Sequence, residues 1–192
     1  MPVQIGAVAH SFSDPTGLLL DCHRRIEMFL GSLGAVAEII DRPLTEETRR
    51  ALDTSLRYFR EAAPNHAADE EESLFPRLRQ VLHADAQSAL ILLDKLENEH
   101  SWATPLHGQV ENLGQECLAK GNLSGTKAEE FRKVVASLTF MYRQHIRVEE
   151  ESLFPVAERL LSPTERAAIA NEMASRRKAK VVTEIPYFHW NR

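Results

Sequence analysis

The sequence predicts an all-α fold: an up-down-up-down four-helix bundle with a short fifth helix and a C-terminal tail. Three observations predict it. The long stretches between prolines are rich in Leu, Ala, Glu, Arg and Gln, all good helix formers, and runs of β-branched residues are nearly absent. Glycine occurs only 8 times in 192 residues, which leaves few turn clusters. Four long segments repeat their apolar residues at helical spacing and are joined by short links, the pattern of an antiparallel bundle. Residues 1–160 are expected to form the bundle, and residues 161–192 a helix and tail packed on it.

The elements follow in order. Ser13-Asp14-Pro15 opens the first helix with a capping side chain just before proline. Its stripe runs through Leu19, Cys22, Ile26, Leu30 and Leu33 to Ile40 and stops before Pro43, giving a helix from about residue 15 to 41 with His23 early in it. Thr45 caps the second helix, where Glu46 and Glu47 favour the helix dipole. Pro64 removes a backbone donor, so a break is expected just before His66, with another stop or bend at Pro76. The third helix covers roughly residues 85–119, with a kink expected at Pro105, and Gly121-Asn122 ends it. The fourth starts near Ser124 and reaches the Leu-Phe-Pro at 153–155. Ser162-Pro163-Thr164-Glu165 opens the fifth, which runs to the basic stretch Arg176-Arg177-Lys178. The last dozen residues carry three aromatics and fit either a tail lying on its own bundle or a contact with a second copy in a homodimer.

Composition excludes several classes. A net charge of −5 provides no basic footprint for nucleic acid. No apolar run approaches the length of a membrane span, and the N-terminus lacks the charged and apolar regions of a signal peptide. Cys22 and Cys117 have no metal or redox spacing and read as buried small hydrophobes. A cytoplasmic protein without membrane contact is expected.

The chemistry sits in a repeated stretch. Residues 66–76 read HAADEEESLFP and residues 145–155 read HIRVEEESLFP, 79 residues apart. Each pairs a histidine with a glutamate four residues on, His66 with Glu70 and His145 with Glu149, one turn apart on nearly the same helix face. The other two long helices also carry histidines on their inner faces, His23 and His100, while His10, His83 and His189 fall outside or at the ends of predicted helices and read as surface. Burying carboxylates together is unfavourable unless cations offset the lost hydration and mutual repulsion. Six such side chains are too many for one tetrahedral zinc, and a mixed imidazole and carboxylate set suits iron ahead of manganese. Two ions at about 3.5–4 Å would fit the centre of the bundle.

His23, the doubled HxxxEE…LFP and His100 in its Glu-His pair resemble the hemerythrin-like family, also called HHE cation-binding domains, over about residues 14–160. The resemblance implies a four-helix bundle holding two non-haem iron ions. On this chain it implies that Glu70 and Glu149 bridge the irons, with His23, His66, His100 and His145 as terminal ligands. Zinc or manganese is the alternative. Oxygen-carrying members have a second histidine four residues after the first on the third helix, and Thr104 stands at that spacing here. His107, seven residues after His100 and about 10.5 Å along the helix, is either a ligand of the other ion or a histidine behind the ligands or at the surface. Glu27, four after His23, is either another ligand or, the reading its position favours, a glutamate behind the ligands or in solvent; Glu71, Glu72, Glu150 and Glu151 read mostly as a solvated face. Such a centre is expected to bind or sense O2, NO or peroxide, or to handle iron. A di-iron peroxidase or oxidase and a structural metal-binding bundle are the alternatives.

Overall fold

The computed structural model describes residues 13–81 and 87–178, all helical apart from short turns and without strands among those residues. His10, His83 and His189 lie outside the described residues, as does the aromatic C-terminal tail.

Helix α1 spans Pro15–Glu38, capped by Asp14, whose side chain accepts from the Gly17 N–H at 3.1 Å. Its last turn is released before Ile40, which remains buried and closes the end of the core. Helix α2, Glu46–Glu61, is capped by Thr45, and the break expected at Pro64 falls at Ala62, where α3 (Ala63–Asp69) begins. Helix α5, Gln87–Lys120, runs through Pro105 without ending. Its C-terminus is closed by Gly121 at φ +87°, a left-handed position that costs glycine little. Helix α6 spans Gly125–Val148.

Both repeats end in a feature that helical periodicity does not announce. A π-turn covers Glu70–Leu74 before α4 (Phe75–Val81), and another covers Glu149–Leu153 before α7 (Phe154–Leu160). The Phe75 N–H bonds back to Glu70, and the Phe154 N–H to Glu149. Pro76 and Pro155 explain the widening. Each proline lacks an N–H and collides with the carbonyl four residues back, and a turn with one extra residue relieves that collision. The bend expected at Pro76 is thus a π-turn that starts at the glutamate of each HxxxE pair.

Helix α1 packs on α2 and α6, and α5 packs on α2 and α6, which makes a square of antiparallel neighbours. At one end the two interhelical links pair directly: Leu44 N–H donates to the Gly121 carbonyl and Leu123 N–H to that of Ile40, both at 2.8 Å. Two apolar clusters fill the interior. One holds Ile26, Leu33, Leu56, Phe131 and Leu138; the other holds Leu19, Leu74, Phe75, Leu96 and Phe154. Every rod crosses from one cluster to the other, and the histidines and glutamates of interest occupy the layer between. On α1, for example, His23 stands between Leu19 and Ile26.

Helix α8, Pro163–Arg176, opens on a Ser162–Glu165 capping box and lies against α1, α3 and the first π-turn. Its basic end is the anchor. Arg176 donates to Asp69 at 2.9 Å and Arg177 to the other Asp69 oxygen at 2.5 Å, with Asp69 fully buried. Both cysteines are free and buried. No helix among the described residues is long and apolar enough to cross a membrane.

Candidate metal centre

Four rods deliver six side chains to one buried layer. His23 comes from α1, His66 and Glu70 from the first repeat, His100 from α5, and His145 and Glu149 from the second repeat. They form two groups of four: His23, His66, Glu70 and Glu149, and then His100, His145, Glu70 and Glu149. Within each group the donor atoms lie within 4.8 Å of one another. Both glutamates belong to both groups. His66 Nε2 stands 3.3 Å from Glu70 Oε1 and His100 Nε2 3.4 Å from Oε2, so the two oxygens of one carboxylate face opposite groups. Glu149 does the same, with Oε2 3.0 Å from His23 Nε2 and Oε1 3.2 Å from His145 Nε2.

These atoms face one another without satisfying one another. His23 Nε2, both nitrogens of His66 and all four carboxylate oxygens of Glu70 and Glu149 are buried and make no hydrogen bond. Buried polar atoms are nearly always paired, because an orphan forfeits its hydration. A layer of converging, unpaired nitrogen and oxygen lone pairs therefore fits cations, and the donor set passes that test.

The electrostatics agree. Burial and the charge of Glu149 push the Glu70 carboxyl up to about 7. Burial works the same way on Glu149, but His145 and His23 outweigh it and hold that carboxyl well below the ordinary range. Burial opposes protonation of His23 and His145 too. Glu149 and Glu150 nevertheless raise His23 to about 9, and Glu149 and Glu99 raise His145 to about 10. His66, wholly buried and beside His23, is driven well below 6.5. Protons on imidazoles thus offset the carboxylate charge that cations would otherwise offset.

Behind three of the histidines stands a carboxylate. His23 Nδ1 donates to Glu150 at 2.9 Å, His100 Nδ1 to Glu71 at 2.7 Å, and His145 Nδ1 to Glu99 at 2.9 Å. Once the imidazole is neutral, each contact leaves Nε2 facing the centre as an acceptor, the arrangement that fixes tautomer and ring orientation for a metal-binding histidine. In the metal-free protein His100 Nε2 and His145 Nε2 share a hydrogen bond at 3.0 Å. The repeats share this work. Glu71 and Phe75 of the first hold His100, the phenyl stacking at 6.5 Å; Glu150 and Phe154 of the second hold His23, stacking at 5.4 Å. The histidines outside the repeats are therefore aimed by the repeats.

Comparison with known proteins places this geometry. Residues 14–157, well over half of the chain, match the family model described as the hemerythrin HHE cation-binding domain. The chain belongs to that family. An uncharacterized protein of Haemophilus influenzae is 26% identical over 172 residues, covering 88% of this chain and 94% of its own length. The hemerythrin family binds cations through its HHE domain, and the polar layer described above is where this chain has the donors to do so.

Two candidates fall outside the hemerythrin-like layer. Glu27 is not among the converging groups: it lies 42% exposed, taking a 2.8 Å hydrogen bond from Arg24. Four residues advance a helix about 40° beyond a full turn, and from His23 the inward position one turn on is taken by Ile26 instead. His107 also stands apart. Its Nε2 meets the Tyr142 hydroxyl at 2.9 Å, and its ring stacks on Phe59 at 5.0 Å, with Tyr142 between it and His145. Burial lowers it to about 4 and keeps it neutral. Glu71 and Glu150 need the opposite correction. They hold histidines and are not simply a solvated face; the repeat alone could not signal this, because Glu72 and Glu151 recur just as exactly. Glu72 and Glu151 are exposed as expected, and Glu72 takes hydrogen bonds from Arg176.

Proposed function

We propose that the layer holds two non-haem iron ions and that the protein binds or senses O2, NO or peroxide in the cytoplasm. Glu70 and Glu149 would bridge the ions, with His23 and His66 terminal on one and His100 and His145 terminal on the other. The observation that carries this reading is that two donor groups of four share both carboxylates, one oxygen of each facing each group. Two carboxylates against four neutral imidazoles suit iron ahead of manganese or zinc. A reduced iron pair would supply a binding position for a small ligand and up to two electrons. The chain's own part is to keep that position dry between two apolar clusters, to hold the imidazoles in the acceptor tautomer through Glu71, Glu99 and Glu150, and to keep Glu70 and Glu149 facing both groups.

One observation favours a second reading, an iron-dependent peroxidase or oxidase. A protic pair, His107 and Tyr142, sits beside the layer, where a carrier needs no proton source. A structural bundle holding zinc is the third reading. Spectra of the reduced, iron-loaded protein on adding O2, NO or H2O2 test the first, with His66→Ala as control. A ligand-specific change absent from the variant is expected. Sustained peroxide turnover selects the enzyme, and a protein that takes up zinc but no iron selects the structural bundle. His100→Ala should lose iron and His107→Ala should retain it; equal losses would make His107 a ligand.

A further inference from the structure

A cavity of about 360 Å3 opens beside the polar layer, with His100 in its lining. Its floor includes His100, the ligand histidine with the greatest side-chain exposure, at 10% against 0% for His23 and 1% for His145. Phe59, Ala63, Ala67 and Ala103 make an apolar wall. Thr104 lines it too, with its hydroxyl turned back onto the His100 carbonyl at 3.1 Å, so that it projects no polar group across the space. Glu71 and Glu72 stand among its lining residues and disfavour anions.

His107 and Tyr142 also line the cavity. A neutral imidazole carries one N–H and a phenol one O–H, and their single contact uses one of these. Whichever group donates, the pair has a second hydrogen left for a guest. The chamber is roughly ten times the ~30 Å3 that a water molecule occupies, and lies in the range that takes small organic molecules.

We propose that this cavity is a substrate pocket for a small, neutral organic hydroperoxide, its organic part against the alanine and Phe59 wall and its peroxide end between His100 and the Tyr142–His107 pair. The proposal rests on the iron-pair reading and names its substrate class. Reduction breaks the O–O bond: ROOH, two electrons and two protons give ROH and water. One electron from each ion of a reduced iron pair supplies both, and the protons come from solvent by way of the protic pair.

The test uses Ala67→Phe, which fills the chamber from a half-buried wall position. Because Ala67 follows His66 and its carbonyl accepts from the Glu70 N–H, iron content equal to wild type is required of the variant before rates are compared. The first arm needs no metal. Cumyl alcohol, the unreactive product analogue of cumene hydroperoxide, is titrated into the full-length apoprotein and followed by amide NMR. Saturable shifts at Ala67, Ala103 and Thr104 are expected, and they should vanish in the variant; scattered shifts, or equal shifts in the variant, overturn the pocket. The second arm compares oxidation of the reduced, iron-loaded proteins by cumene hydroperoxide and by H2O2. The variant should slow the organic oxidant at least tenfold and H2O2 by less than twofold. Equal slowing of both would make the cavity a general path and overturn the substrate class. Should the protein fail to load iron, the iron-pair reading fails, while the first arm still decides whether the chamber takes an organic guest.

Discussion

Glu150→Gln should weaken metal binding more than Glu71→Gln, although the two residues are equivalent in the repeat. Glu150 aims His23, whose side chain is 0% exposed, through a 2.9 Å hydrogen bond, and is itself 22% exposed and held by Arg24 at 2.6 Å. Glu71 aims His100, which is 10% exposed, and is 39% exposed itself, so water can replace much of what its charge contributes. Glutamine retains an acceptor oxygen in both cases but removes the charge that raises the basicity of the ligand, and at Glu150 it also frees Arg24. Loss of such an outer partner typically costs about 10–100-fold in affinity, which is about 1.4–2.7 kcal/mol. Glu150→Gln belongs in that range, and Glu71→Gln below tenfold. Glu151→Gln, at an exposed position, should change nothing. Titration of the apoproteins with ferrous iron against a competing chelator measures the three ratios. Equal effects for Glu150 and Glu71, or an effect at Glu151 as large as either, would refute the claim that burial of the hydrogen bond sets its worth.

Metal uptake should release protons: at pH 7.5 the apoprotein holds them on His23 (about 9) and His145 (about 10), so about two leave as ligands form. Calorimetry in buffers of different ionisation enthalpy counts them, and a value near zero would contradict the charge balance described. His107 has a folded-state value of about 4, below its unfolded value of about 6.5. Its stabilising contribution is therefore whole above pH 6.5 and lost as pH falls through 4, at most about 3 kcal/mol. Apo His107→Phe should show a flatter decline in melting temperature across that window than wild type; parallel curves would refute it. Asp69→Ala removes the buried carboxylate shared by Arg176 and Arg177, which are about one-fifth exposed and keep their contacts with Glu72, Ser73 and the Met173 carbonyl, and should cost about 2–4 kcal/mol in urea unfolding. A loss under 1 kcal/mol would show that α8 is held by its apolar contacts instead.

Much of this was legible in the sequence, because a helix face is a local pattern. The doubled HxxxE placed His66, Glu70, His145 and Glu149, and the apolar stripes around His23 and His100 showed that those histidines face inward. What escaped is what depends on partners far along the chain. Glu71 meets His100 and Glu150 meets His23 across helix boundaries, and no local periodicity distinguishes them from the exposed Glu72 and Glu151 beside them. Asp69 looked like one more acid in an acidic run until Arg176 and Arg177 arrived from more than a hundred residues away. The π-turns arise from Pro76 and Pro155, which were legible as breaks though not as the kind of break. Glu27 repeats the spacing that works in the repeats, but on α1 the inward position is Ile26 and Glu27 stays at the surface, the alternative its position favoured.

The most direct test of the central claim is the metal content of anaerobically reconstituted protein, measured on wild type and Glu149→Ala. Because Glu149 faces both donor groups, the account predicts two iron atoms per chain in wild type and a drop at both positions together in the variant. Iron retained at two per chain in Glu149→Ala, or a wild-type protein that takes up a single zinc and no iron, would contradict it.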